Sequence, residues 1–136
     1  MDGPPAPLYQ LLYTSRLAPG ATVSDIAAVA RGSRQRNAQR RLSGALVFDG
    51  LRFCHYLEGP TDHVRGLAQR IATDSRHVEF TIRHEGPYIG PRRFAAWSLG
   101  YSLAQHPDAL DALHAAWGEE AIARLLRVLP NCEPEP

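Results

Sequence analysis

Apolar residues along this chain recur with two periods, and the switches between them mark out the elements. Leu8 to Ser15 (LYQLLYTS) mixes apolar, aromatic and β-branched residues behind a Pro-rich leader, which predicts a first strand. Pro19-Gly20 makes a turn. Ser24 is placed to cap a helix running from Asp25 to about Arg40, with Ile26, Val29 and Ala30 as a narrow apolar stripe. Gly44 to Phe48 and Phe53 to Leu57 are apolar runs on either side of Asp49-Gly50, a dipeptide suited to the positive φ of a tight hairpin turn.

Pro60-Thr61 opens a second helix, where Val64, Leu67, Ala68 and Ile71 repeat at i, i+3, i+4 and i+7, and it is expected to stop near Asp74. Val78 to Arg83 alternates as a half-buried strand does, Gly86 to Pro91 breaks it, and Phe94 to Ser102 reads as the last strand. The core order is therefore βαββαββ. Two helices on one face of a mixed, mostly antiparallel, five-stranded sheet is the economical architecture, an α+β, ferredoxin-like sandwich. Its other face needs a cover. Asp108 to Trp117 and Glu119 to Leu129 supply two C-terminal helices whose stripes can cover that face or present a partner surface. The expected organisation is a disordered leader at 1–7, a core at 8–102, a helical cap at 103–130 and a disordered tail at 131–136.

Composition narrows the function classes. At 136 residues the chain is one domain in size, and its net charge of +1 exerts no global pull toward nucleic acid or an anionic membrane. Cys54 and Cys132 have no Cys or His at metal-ligand spacing, so free thiols are expected. The N-terminus lacks an apolar signal region and no stretch is long enough to span a bilayer, which predicts a soluble cytoplasmic protein. Hydrolase elbow, P-loop, GxGxxG and zinc-ligand signatures are all missing, so neither an enzyme nor a metal site is expected. Five arginines crowd Arg31 to Arg41. They read as a solvated helix end, with RNA or anion contact as the sharper alternative.

The sequence resembles one family in particular. FCHYLEGP at Phe53 to Pro60 resembles the FxQxLEGP strand of BLUF domains, and DSRH at Asp74 to His77 resembles their D-x-R-H at the close of the second helix. YTSR at Tyr13 to Arg16, Asn37, LSGALVFDG at Leu42 to Gly50 and RRFAAWSLG at Arg92 to Gly100 share the family's order and spacing, over about Leu8 to Ser102. The resemblance implies FAD as cofactor, its isoalloxazine between the two helices with one edge toward the sheet. It places Tyr13 and the Gln-equivalent His55 beside the ring's N5 and O4, and Asn37 at the O4 and N3 edge, with Arg36 a weaker polar match. Arg70 and Asp74 fall at the other polar edge and the ribityl side, with Arg76 and His77 nearby. Ile26 and Ile71 are candidates to sandwich the ring.

Each of these residues also has a plain structural reading: Tyr13 as a strand aromatic, Asn37 as a helix-end residue, and Arg70 with Asp74 as an i, i+4 ion pair.

Two positions depart from the family pattern. The family's photochemistry uses a Gln amide, which carries both an acceptor oxygen and an NH2 donor. Neutral imidazole at His55 has one donor and one acceptor and cannot exchange amide orientation, so an altered or impaired photocycle is implied. Leu99 stands where the family often has Met, losing a polarizable thioether while keeping volume. Trp97 either approaches the ring as an electron donor or covers the core. The leading expectation is an FAD-binding blue-light sensor that, having no effector domain, acts on a separate signalling protein through its C-terminal helices or sheet face. A homo-oligomer is left open. The alternative is a light-insensitive or flavin-free interaction module; an anion or RNA binder ranks third.

Overall fold

The computed structural model describes residues 7–95, 97, 99–104, 108–129 and 132–134. Strand β1 (Leu8–Leu17) is buried along nearly its whole length because it lies inside the sheet. Helix α1 (Val23–Gln39) comes next, then the hairpin of β2 (Ser43–Phe48) and β3 (Arg52–Gly59). Helix α2 (Thr61–Ala72) leads to β4 (His77–Tyr88), and β5 is Gly100–Ala104. A 3-10 turn at Leu113–Ala115, helix α3 (Glu119–Val128) and a short β6 (Cys132–Pro134) complete the chain.

The sheet order is β4-β1-β3-β2-β5-β6. β1 pairs antiparallel with both β3 and β4, β2 antiparallel with β3, β2 parallel with β5, and β5 antiparallel with β6. The α+β class holds, with six strands in place of five.

Because side chains alternate along a strand, β1 and β3 feed two different cores. Tyr9, Leu11, Tyr13 and Leu57 meet Val64 and Ala68 of α2, while Phe48, Phe53 and Leu46 meet Ile26 and Ala30 of α1. On the opposite face Leu12, Val47, Cys54 and Tyr56 pack under Leu110, Leu113, Ala121, Ile122 and Leu125. The C-terminal segment thus covers the face that α1 and α2 leave bare. Among the described residues no helix is long and apolar enough to cross a membrane.

Several sequence expectations change here. Thr22, not Ser24, caps α1, in a box where its hydroxyl accepts from Asp25 N (3.1 Å) and Asp25 accepts from Thr22 N (3.2 Å). β4 runs on through Gly86 and Pro87, since an edge strand tolerates a proline whose missing N–H faces away from the ladder. The hairpin forms as expected, with Gly50 at φ +97° and Asp49 accepting from Leu51 N (2.9 Å) and Arg52 N (2.6 Å).

Phe94 lies in a turn instead of a strand, its N–H and that of Arg93 both given to the Glu58 carboxylate at 2.9 Å. Asp108 to Trp117 is a series of turns closing in the 3-10 turn; Leu110 and Leu113 reach the sheet, while Arg52 holds Asp111 at 2.6 Å. Cys132–Pro134 pairs with β5 where a disordered tail was expected, its backbone groups extending the ladder. The leader at 1–6 lies outside the described residues.

Candidate functional site

A cleft opens between α1, α2 and the sheet, the kind of concave site between elements in which small molecules and cofactors bind. One wall is the α1 face at Ile26, Val29, Ala30, Ser33 and Asn37, positions one helical turn apart. Leu67 and Ile71 of α2 form the facing wall. The floor is the sheet, with Tyr13, Leu46, Phe53 and His55, and Leu99 closes one side. Asp74 and Arg76, from the link between α2 and β4, and His77, the first residue of β4, supply a polar rim. The walls are therefore apolar and the polar groups few and placed, which suits a flat heteroaromatic with hydrogen-bonding edges.

Tyr13 and His55 sit directly opposite each other in the β1–β3 register, which brings both rings to the same face. The Tyr13 hydroxyl and His55 Nδ1 are 2.9 Å apart and the rings meet edge-on at 5.2 Å. Both are buried, at 1% and 4% exposure. Burial, with a smaller like-charge effect from His77, holds the imidazole at about 3, so it is neutral near pH 7. Burial likewise pushes the Tyr13 phenol above the ordinary tyrosine range. Among the described residues His55 Nε2 is the one buried side-chain nitrogen or oxygen with no hydrogen-bond partner. Such an orphan is rare in a finished interior and marks where a ligand group belongs.

At the rim, Arg76 donates to Asp74 from its main chain (2.9 Å) and from Nε and Nη2 (3.0 and 2.7 Å). Those bonds hold the Asp74 carboxyl down at about 2. His77 Nδ1 meets Ser15 Oγ at 3.0 Å, and burial lowers its pKa.

The cleft thus collects Tyr13, Ile26, Asn37, His55, Ile71, Asp74, His77 and Leu99 from the sequence-derived candidates. It leaves out Arg36, Arg70 and Trp97. Arg36 is exposed, its Nη2 3.4 Å from Ser33 Oγ. Arg70 is exposed and leans on Gly66 O at 3.4 Å. The expected Arg70–Asp74 ion pair does not form, because α2 ends at Ala72 and the chain turns, handing Asp74 to Arg76. Trp97 is 44% exposed and stacks on Phe94, centroids 5.7 Å apart, while its carbonyl accepts from Gly44 N at 3.1 Å. It covers core. Sequence reasoning passed over Val29, Ala30, Ser33, Leu46, Phe53 and Leu67 as cleft walls. The helical spacing from Ile26 to Asn37 was the signal for the α1 positions.

Comparison with known proteins gives the family of the chain. The profile of the BLUF family, sensors of blue-light using FAD, matches residues 8–100. The chain is 36% identical over 110 residues to photoactivated adenylate cyclase subunit beta of Euglena gracilis, covering 78% of this chain and 13% of that protein. It is 33% identical over 109 residues to the blue light- and temperature-regulated antirepressor BluF of Escherichia coli (strain K12), covering 78% of this chain and 27% of that protein. The chain thus spans roughly an eighth to a quarter of the length of these curated relatives. Among solved structures, the dark state of BlrB, a BLUF protein, superposes with a TM-score of 0.77 at 32% identity, covering 90% of this chain and 95% of that one.

Proposed function

The chain belongs to the BLUF family of blue-light sensors that use FAD, and from that premise we propose that its cleft holds the FAD isoalloxazine and senses light through an altered photocycle. The observation that carries this reading is the buried Tyr13–His55 pair with one nitrogen left open beside an apolar-walled cleft between the two helices. Ile26 and Ile71 flank the ring, Asn37 serves one polar edge, and Asp74 and His77 serve the other. Arg76 joins them by holding the Asp74 carboxylate in place. Bound FAD supplies visible absorption and an excited state that accepts an electron. Tyr13 is the nearby donor, and its proton has one acceptor at hand, His55 Nδ1.

His55 alters how light absorption is recorded. A Gln amide records the event by turning over, whereas imidazole can only pass a proton in at one nitrogen and out at the other. Leu99 closes the cleft without a thioether that could take part. A lasting red-shifted state is therefore weakened or lost in this chain. The same substitution favours a second reading, a light-insensitive or flavin-free interaction module.

Output in either case is to another protein or domain. The chain's relatives include a photoactivated cyclase subunit and an antirepressor, and the cap over the second sheet face is the surface we assign to that contact. In this reading residues 8–102 form the sensing core and 103–130 the cap. The strand order β4-β1-β3-β2, with α1 and α2 on one face, supports describing the core as a ferredoxin-like sandwich.

The test is the visible spectrum of protein incubated with FAD, before and after blue light. A yellow protein that shows a lasting reversible red shift only as His55→Gln is the expected result. A colourless protein would overturn flavin binding, and a full reversible shift in the native chain would overturn the altered photocycle.

A further inference from the structure

The Tyr13–His55 contact restricts which imidazole nitrogen carries the proton. Two arrangements fit the 2.9 Å separation of Tyr13 Oη and His55 Nδ1. In the first, the phenol donates to Nδ1 and the imidazole proton sits on Nε2. In the second, Nδ1–H donates to the phenol oxygen, and the phenol proton needs another acceptor. Among the described residues Tyr13 Oη makes no second hydrogen bond. With Tyr13 at 1% exposure, solvent does not supply one either. A buried donor without a partner is costly, and a phenolic O–H paired with an unprotonated ring nitrogen is the better match of donor and acceptor. The first arrangement wins, and Nε2 then becomes an N–H aimed at no protein group.

We propose that Tyr13 locks His55 in the Nε2–H form and that the cleft thereby selects oxidised over reduced flavin. The selectivity half rests on the flavin reading above. Oxidised flavin carries a bare lone pair at N5 and takes up a hydrogen there on two-electron reduction. An Nε2–H donor complements the first and meets N–H with N–H in the second. Inverting the imidazole would rescue the reduced form only by taking Nδ1 away from the Tyr13 hydroxyl as its protein acceptor. A Gln in the same place escapes the conflict, because one rotation presents either its oxygen or its NH2. His55 is thus a specificity-determining residue for the redox state of the cofactor, set by Tyr13 across the β1–β3 ladder.

Two measurements decide this. Long-range proton–nitrogen correlation spectra of the whole chain, with His55 assigned by its loss in His55→Gln, report the tautomer with or without flavin. Nε2 protonated and Nδ1 bare is expected, giving way to a mixture in Tyr13→Phe; a protonated Nδ1 in the native chain overturns the lock. Separately, dissociation constants for oxidised FAD and for dithionite-reduced FAD are measured anaerobically. The native chain should prefer the oxidised form on the order of ten-fold more than His55→Gln does, equivalent to a two-electron midpoint about 30 mV lower. Tyr13→Phe should lose most of that preference. Equal ratios in the native chain and His55→Gln overturn the selectivity. Failure of both forms to bind overturns the flavin reading and the selectivity with it, while the nitrogen spectra still decide the lock.

Discussion

The two faces of the sheet are built from the same strands and treat their polar groups in opposite ways. On the face under the C-terminal cap, Tyr56 shares its hydroxyl hydrogen between Gln10 Oε1 (3.0 Å) and Glu58 Oε1 (3.3 Å), and Gln10 Nε2 donates to His84 Nε2 at 3.2 Å. Glu58, fully buried, also accepts from Ser43 Oγ at 2.8 Å and from the backbone of Arg93 and Phe94, and Arg92 donates to Ser43. This network is answered from within the chain. On the face under α1 and α2, one residue along β3 from Tyr56, His55 keeps a nitrogen unanswered beside an open cleft. Closed polar networks specify a structure; an open one specifies a ligand.

If this contrast is right, the closed face should be the costlier one to disturb. Glu58→Leu leaves Tyr56 its bond to Gln10 but strands the Ser43 hydroxyl and two backbone N–H groups, so a loss of about 3–5 kcal/mol in urea unfolding is expected. His55→Gln should change stability by less than about 1 kcal/mol, since it gives up one neutral hydrogen bond that the amide can remake. Equal losses would remove the distinction between the faces. Leu113→Ala, in the dry core under the cap, should cost about 2–4 kcal/mol by the same measurement.

Acid sharpens the comparison from the other side. The folded His55 pKa of about 3 lies below its unfolded value of about 6.5, so the unfolded chain binds more protons at intermediate pH. Its contribution is intact above pH 6.5 and is lost as the pH falls toward 3, with a slope of about 1.4 kcal/mol per pH unit. His77 on the cleft side and His114 on the cap side, both lowered by burial, act in the same direction. Thermal melts of the native chain and His55→Gln across pH 7 to 4 should differ by that slope. A small stability effect also belongs to Ile71→Ala, at a half-buried cleft wall: about 1 kcal/mol or less, with FAD affinity down roughly ten-fold by spectral titration.

Much of the site was legible because the cleft is assembled from periodic elements. Ile26 and Asn37 share a helix face, and Tyr13 and His55 become neighbours once β1 and β3 are both taken as strands of one sheet in the family order. The rim was not legible in the same way. Arg70 and Arg76 are both within reach of Asp74 by sequence distance, and the choice depended on where α2 stopped. Glu58 read as part of a motif, and nothing in its spacing announced that it would gather the turn carrying Arg93 and Phe94. Those partners are some 35 residues away, beyond any local period.

The sequence by itself determined the alternation of elements, the Asp49-Gly50 hairpin, the apolar helix faces and the replacement of an amide by imidazole at His55, because backbone preference, side-chain period and functional-group chemistry are local properties. Only the tertiary structure decided that Asp74 belongs to Arg76, that Trp97 stacks away from the cleft, that the chain end adds a sixth strand, and that His55 Nε2 is left without a partner. Which donor meets which acceptor is settled by packing in three dimensions, where the sheet brings distant residues together and shuts water out.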